Sequence, residues 1–119
     1  MLRLTLQSQV YLALGPTDLR NNIDGLSLMV QNKFRLDPFS NSMFVFCNRK
    51  KDKIKILLWD KNGFWLYYRR LEEGTFNWPK KEDYNKTLGV TQQQLSWLLD
   101  GLSLDEPNAH KEVLKRKMI

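Results

Sequence analysis

Hydrophobic and polar residues alternate along several short segments of the chain, which is the pattern of half-buried β-strands. The first segment runs from Gln9 to Leu14 and is followed by Gly15-Pro16, which ends it. Three more segments of this kind span residues 43–47, 53–59 and 64–70. Asn62-Gly63 lies between the last two and is typical of a tight hairpin turn. The pattern predicts an antiparallel meander, to which Thr75–Trp78 adds a short candidate strand.

Two segments carry apolar residues at helical spacing. Asp18–Lys33 repeats them every three or four positions, and Thr17 precedes it as a candidate cap. Thr91–Asp100 is shorter, begins with a capping threonine and is stopped by Gly101. We therefore expect an α+β fold, with an antiparallel β-meander of three to five strands packed on one long helix, plus a short C-terminal helix. Residues 1–104 form a single domain in this interpretation, and 105–119 form a basic tail that is either a frayed helix or disordered.

Strand pairing decides which side chains of the meander meet solvent. A five-residue link at 48–52 places Phe46 opposite Ile54 and Phe44 opposite Ile56. This register puts both phenylalanines in the core beneath the long helix. The other face of the hairpin then combines cations with aromatic and apolar residues, namely Lys53, Lys55, Leu57, Trp59, Phe64, Leu66, Tyr68 and Arg70.

The net charge of the chain is concentrated in residues 48–70. This stretch holds eight Lys/Arg and two Asp, which equals the formal charge of +6 for all 119 residues. Cations interleaved with aromatic rings suit a polyanion whose bases stack, so nucleic acid is the first candidate partner. The expected DNA-binding residues are Arg49, Lys50, Lys51, Lys53, Lys55, Lys61, Trp59, Tyr68 and Arg70. Two alternatives remain open: a basic surface that only meets solvent, and rings covered by the C-terminal helix.

The turn between the first strand and the long helix is a second candidate site. A helix that begins here exposes its N-terminus to an anion, and Arg20 lies close enough to add a two-pronged contact. Thr17, Asp18 and Arg20 are the residues of this anion- or partner-binding turn. The alternative is a capped helix with an Asp18–Arg20 pair on its surface.

The sequence offers few residues for catalysis. Cys47 and His110 are each the only residue of their type, so they cannot build a zinc site, and Cys47 reads as a packed thiol. The remaining candidates for Mg²⁺-dependent chemistry are the aspartates Asp18, Asp24, Asp37, Asp52 and Asp60, of which Asp18 and Asp60 are the two to test by substitution. We expect no catalytic residue, no metal and no cofactor. No apolar run reaches the roughly 18 residues that span a bilayer, and no signal-peptide pattern is present. We therefore expect a cytoplasmic protein with no membrane partner.

Four segments of the chain carry a likeness to a known family: VYLALGPTDLR, IDGL, LDPFSNSMFVFCNRKKDKIKILLWDKNGFWLYYRRLEEGTFNWP and TQQQLSWLLDG. In this order they closely resemble the small accessory protein of the bacterial insertion-sequence family numbered sixty-six. That protein is encoded by the second open reading frame and is often labelled TnpB. The resemblance covers about Val10 to Gly101 and implies a bacterial protein that assists a separate, larger transposase. It implies no catalytic residue.

Three functions follow as hypotheses. The first is a non-enzymatic accessory protein for DNA transposition that binds the element ends through the basic aromatic face. The alternative is a docking module for the element's transposase without direct DNA contact, suggested by Leu57, Trp59 and Leu66 on the same face. The third is a metal-dependent nuclease. The sequence does not predict an oligomeric state.

Overall fold

A computed structural model describes residues 8–80 and 86–104 of the chain. It contains one five-stranded sheet and two helices. The strands are β1 (Gln9–Ala13), β2 (Ser42–Cys47), β3 (Lys53–Asp60), β4 (Gly63–Arg70) and β5 (Thr87–Val90). The helices are α1 (Ile23–Asn32) and α2 (Gln92–Leu99). Within the described ranges, no helix is long and apolar enough to cross a membrane.

The order of strands across the sheet is β4-β3-β2-β1-β5. The meander β2–β3–β4 and the α+β class are confirmed. The expectation of a purely antiparallel sheet is wrong, because β1 pairs in parallel with β2 and places Val10 opposite Met43. Parallel neighbours need a long crossover, and the segment that contains α1 supplies it. β5 then pairs antiparallel with β1 and completes a mixed sheet.

The first helix is shorter than the sequence pattern predicted. It begins at Ile23, because residues 18–21 form a turn in which the Asn21 amide donates to the Asp18 carbonyl at 3.2 Å. Thr17 therefore does not cap the helix. Its side chain is buried, and its backbone N–H donates to the carbonyl of Cys47 at 2.8 Å. Gly25 in the first turn of α1 lies close to the side chain of Asn21, and a Cβ atom at this position would come within 2.5 Å of Asn21 Oδ1.

The register of β2 against β3 differs from the predicted one by a single residue. Phe46 pairs with Lys55 and Phe44 with Leu57, because the turn holds four residues and Asn48 already pairs with Lys53. A shift of one residue turns every side chain to the other face. Phe44 and Phe46 consequently pack with Leu57 beneath α1, on the face that was expected to be open.

The opposite face of the sheet holds the larger core. Ile54, Ile56 and Leu58 are buried there, as predicted, but their cover is α2 and the segment after β4. In that segment Phe76 and Trp78 are buried, and the Trp78 indole N–H donates to the carbonyl of Ala13 at 3.2 Å. Thr75–Trp78 thus does not form the predicted strand.

The C-terminal helix is confirmed with its cap. The Thr91 hydroxyl accepts the amide of Gln94 at 3.0 Å, and the Gln94 side chain accepts the amide of Thr91 at 2.9 Å. This reciprocal pair is a capping box. Leu95 and Leu98 are buried against the sheet. Residues 105–119, the predicted basic tail, lie outside the described residues, as does His110.

Candidate functional site

An open groove of about 980 Å³ lies on the α1 side of the sheet, next to the N-terminal end of α1. One wall is the loop that follows β1, and the other is the turn between β2 and β3. The floor is formed by β3 and β4, whose pairing places Lys53 opposite Arg70 and Lys55 opposite Tyr68. All four share one face of the hairpin, as predicted. The residues that line this basic groove are Pro16, Thr17, Asp18, Leu19, Arg20, Asn22, Asn48, Arg49, Lys50, Lys53, Lys55, Leu66 and Tyr68.

The groove unites the two sites that the sequence suggested separately. All three residues of the predicted anion-binding turn line it, together with five of the nine residues expected to bind DNA. Five lining residues are Lys or Arg, and one, Asp18, is acidic. Charge is therefore concentrated where an anion would enter, although not all five cations are available to it.

Arg20 already has an anionic partner in Asp18. The guanidinium donates to both carboxylate oxygens, and the closest approach is 2.6 Å between Nη2 and Oδ2. The pair is exposed, with Arg20 91% accessible. The hydrogen bonds from Arg20 lower the pKa of Asp18 from 3.8 to about 2. The Asp18–Arg20 pair of the alternative is thus present, but in a turn and not on a capped helix, because α1 begins only at Ile23. An incoming anion would compete with Asp18 for Arg20.

Lys55 has a structural role in the groove. Its ammonium group donates to the carbonyl oxygens of Leu19 and Asn21 at 2.6 and 3.0 Å and to the side-chain oxygen of Asn22 at 2.8 Å. All three hydrogens of the ammonium group are therefore used. These bonds join the loop before α1 to the floor of the groove, so Lys55 positions the wall and is not a free cation.

The cations that remain are Arg49, Lys50 and Lys53. Arg49 and Lys50 are exposed at the turn, and Lys53 is half-buried at the start of β3. Their side chains form no hydrogen bond or ion pair with any other residue of the described part of the chain. Tyr68 belongs to the β4 part of the floor and has 54% of its surface accessible. These four side chains are the open part of the basic groove.

Asn48 holds the turn that presents these cations. Its side-chain oxygen accepts the amides of Asp52 and Lys53 at 3.1 and 3.0 Å, and its amide donates to the Asp52 carboxylate at 2.7 Å. The last bond lowers the pKa of Asp52. Asn48 is not among the site residues that the sequence predicts. The signal was its position between a strand and a run of cations, since asparagine side chains commonly bond to the backbone of turns.

Four of the predicted DNA-binding residues lie outside the basic groove. Arg70 is paired with Glu72, at 2.8 Å between Nε and Oε2. Lys51 lies in the turn with a positive φ of 61° and borders the other side of the sheet, where its carbonyl accepts the amide of Phe76. Lys61 occupies the turn at the far end of the hairpin, which uses Lys61-Asn62 and not the expected Asn62-Gly63.

Trp59 belongs to a separate aromatic cluster. Its ring contacts Phe39 and Phe64 edge-on, with centroids 5.0 Å away in both cases, and Phe39 is also 5.5 Å from Phe64. The alternative in which the C-terminal helix covers these rings is wrong, since Phe39 of the loop after α1 packs on them. Phe39 itself is 55% exposed. We refer to Phe39, Trp59 and Phe64 as the aromatic patch.

The candidate metal ligands are far from forming a site. Asp18 is paired with Arg20, and Asp60 accepts the indole N–H of Trp65 at 3.2 Å at the other end of the hairpin. In residues 8–80 and 86–104, no group of three or more His, Cys, Asp and Glu is placed to hold a metal ion. Cys47 is fully buried, and burial raises the pKa of its thiol to about 12, so the packed-thiol interpretation is confirmed.

The chain is similar to a described protein family and to uncharacterized bacterial proteins. Residues 8–109 match the model of the family described as IS66 Orf2 like protein. The chain is 34% identical over 99 residues to Uncharacterized protein y4hO of Sinorhizobium fredii, covering 83% of this chain and 84% of the relative. It is 30% identical over 94 residues to Uncharacterized protein y4jC of the same organism, covering 79% of each. No solved structure matches the chain significantly.

Proposed function

This chain belongs to the IS66 Orf2-like family, and we propose that it assists transposition by binding DNA phosphates in the basic groove. The family indicates a transposition-associated accessory role and is not a known enzyme family. DNA contact and the residues that make it are our inference from the geometry of the groove.

The observation that supports this proposal is that three cations without ion pairs line the same groove as an exposed ring. Arg49 and Lys50 belong to one wall, and Lys53 and Tyr68 belong to the floor. Lysine and arginine at a loop tip bind phosphate without reading bases. An exposed tyrosine beside them provides a surface on which an unpaired base stacks.

The cross-strand pair Lys53–Arg70 supports the same conclusion. Like charges placed directly opposite each other on neighbouring strands are destabilising. Glu72 forms an ion pair with Arg70, whereas Lys53 forms no ion pair in the described part of the chain and is attracted only by the neighbouring Asp52 carboxylate. A bound phosphate would give Lys53 a direct anionic partner and so offset part of the repulsion between the two cations.

The test is a charge reversal in the open part of the groove. We expect the double variant Arg49→Glu with Lys50→Glu to bind labelled element-end DNA at least tenfold more weakly than the parent chain at low salt, because two phosphate contacts become repulsive. Fluorescence anisotropy measures the dissociation constant, and both duplex and single-stranded forms of the end are titrated.

The matched control reverses two exposed cations outside the groove, Lys33→Glu with Lys61→Glu, and gives the same change in net charge. Retained binding in this control together with loss in the groove variant supports a local site. Equal losses in both variants would show that only net charge matters, and absence of binding by the parent chain at low salt would exclude the proposal.

The aromatic patch favours a second candidate function, docking to the element's transposase. Phe39 is exposed in a loop although it is a large apolar residue, and it rests on two further rings. Exposed apolar clusters commonly mark protein partners. Phe39→Ser would then abolish co-purification with the transposase in the absence of DNA while leaving DNA affinity unchanged. Complex formation that is insensitive to Phe39→Ser would count against this site.

A further inference from the structure

β4 is a long strand at the edge of the sheet. It spans Gly63–Arg70 and pairs only with β3 among the described strands, whereas β5 at the other edge has four residues. Its pairing with β3 runs without a bulge from Gly63 to Arg70, and the strand contains no proline. Proteins usually protect such an edge with bulges, proline or charge, because it offers unpaired backbone groups to another chain. On β4 only the last two residues, Arg69 and Arg70, are charged.

The hydrogen-bond pattern identifies the backbone groups that point away from β3. The amide of Leu71 donates to the carbonyl of Asp52 at 2.8 Å, which marks this pair as hydrogen-bonded. Hydrogen-bonded and non-hydrogen-bonded pairs alternate along an antiparallel ladder. The odd-numbered residues of β4 therefore bond to β3. The outward-pointing N–H and C=O groups belong to Phe64, Leu66, Tyr68 and Arg70.

The sequence of β4 is complementary to itself when it is reversed. It begins with the aromatic residues Phe64 and Trp65 and ends with Arg69 and Arg70. We propose that β4 pairs antiparallel with β4 of a second copy of this chain, about a two-fold axis at Tyr67. This register places Trp65 opposite Arg69 of the second copy and Phe64 opposite its Arg70. Each arginine then meets a ring, which is a favourable cation–π arrangement.

This register is favoured over the others by pairing and by charge. It satisfies all four outward-pointing residues, with about eight inter-chain hydrogen bonds. A shift by two residues in either direction removes pairs from one end. Parallel pairing would place the arginines of the two copies beside each other, which is destabilising. The rings of Trp65 and Tyr67 already stack with centroids 6.1 Å apart and an interplanar angle of 19°, so pairing extends an existing aromatic row across the axis.

The pairing has a consequence for the basic groove, although it does not depend on DNA binding. Leu66 and Tyr68 both line the groove. In the dimer, Leu66 of each copy would lie opposite Tyr68 of the other copy. The two grooves would then meet across the axis on one side of a ten-stranded sheet. The seven paired residues of each strand span roughly 24 Å, at about 3.4 Å per residue. Because this interface is small, we expect the two copies to associate with a dissociation constant in the micromolar range.

Disulfide trapping in the full-length chain tests the register. Tyr67→Cys places two thiols at a non-hydrogen-bonded pair, whose Cα atoms lie about 4.5 Å apart and within disulfide range. We expect this variant to form a covalent dimer under mild oxidation. Tyr68→Cys is the matched control, because in this register it faces Leu66 and not itself. The parent chain is the control for cross-linking through Cys47, which is buried.

Tyr68 is the more exposed of the two positions, so random collision would favour cross-linking of the control. Selective cross-linking at position 67 therefore supports the proposal. Equal cross-linking at both positions, or preference for 68, would overturn the register. Far-UV circular dichroism of both variants verifies that they are folded.

Sedimentation velocity over a concentration series tests the interface independently. Trp65→Arg would place two arginines opposite each other and weaken dimerisation at least tenfold. Adding Arg69→Glu would restore it, because each new arginine would face a glutamate. A chain that remains monomeric up to roughly millimolar concentration, well above the weakest specific associations, would exclude self-pairing at this edge. A dimer unaffected by Trp65→Arg would assign the contact elsewhere and would also overturn the proposal.

Discussion

The ammonium nitrogen of Lys55 lies 2.6 Å from the carbonyl oxygen of Leu19, and this contact joins β3 to the loop before α1. In a helix that began at Asp18, the carbonyls of Leu19 and Asn21 would accept amides four residues further along the chain. Lys55 takes both of them instead. The helix begins five residues later than predicted, at Ile23, and Lys55 binds the loop that precedes it and so positions a wall of the groove.

Replacement of Lys55 by methionine is expected to lower the free energy of unfolding by about 2–3 kcal/mol, because carbonyl groups in a half-buried site lose a charged donor. Lys55→Arg should recover only part of the loss, since a planar guanidinium cannot converge on three acceptors as a compact ammonium does. Urea denaturation measures the change. Lys53→Met, on the same face without such bonds, is the control, and an equal loss in both variants would contradict the assigned role.

Asn48 is expected to stabilise the turn that fixes the register of β2 and β3. Asn48→Ala leaves the amides of Asp52 and Lys53 without their side-chain acceptor, and we expect a loss of about 1–3 kcal/mol in the free energy of unfolding. Asn62→Ala changes the same residue type in the other hairpin turn, where the described structure shows no side-chain hydrogen bond. A change below about 0.5 kcal/mol is expected there. Thermal unfolding distinguishes the two, and similar shifts in both would refute the prediction.

The Asp18–Arg20 pair makes the stability of the fold depend on pH in the acid range. The folded pKa of Asp18 is lowered from 3.8 to about 2, so its contribution to stability is fully present above pH 3.8 and is lost as the pH falls towards 2. Carbon-13 NMR titration of the carboxyl group should show this low pKa. In Arg20→Gln we expect the pKa to move back towards 3.8, although the Arg20 backbone amide still donates. A pKa that is unchanged in this variant would show that Arg20 is not the cause.

DNA affinity through Arg49, Lys50 and Lys53 is expected to fall steeply with salt. Neutralising one phosphate of duplex DNA changes the slope of the logarithm of the binding constant against the logarithm of the salt concentration by about −0.9. Three phosphate contacts therefore predict a slope of about −3. Arg49→Gln should make the slope less steep by about 1. Anisotropy titrations between low and physiological salt measure both slopes. A slope near zero in the parent chain would be incompatible with phosphate contacts in the groove.

Local patterns predicted β1 to β4 and both helices, but they missed β5. Alternation located β1 to β4 within one residue, and the capping threonine located α2. The side chains of β3 and β4 that share a face were also predicted correctly, because a two-residue Asn62-Gly63 turn and a four-residue turn over Asp60–Gly63 give the same face membership. The β2–β3 turn offered no such agreement between alternatives. Its length depends on the Asn48 side chain, and one residue of error exchanged the two faces.

The sequence by itself determined that Lys53, Lys55, Tyr68 and Arg70 share one face, because side chains on paired strands alternate with a fixed period of two. Only the tertiary structure decided what that face contacts. α1 covers the end that carries Phe44 and Leu57, the loop before α1 closes the groove, and Lys55 is bound within it. These relations join residues from separate elements, and Lys55 and Leu19 are 36 positions apart, so no local period carries information about such contacts.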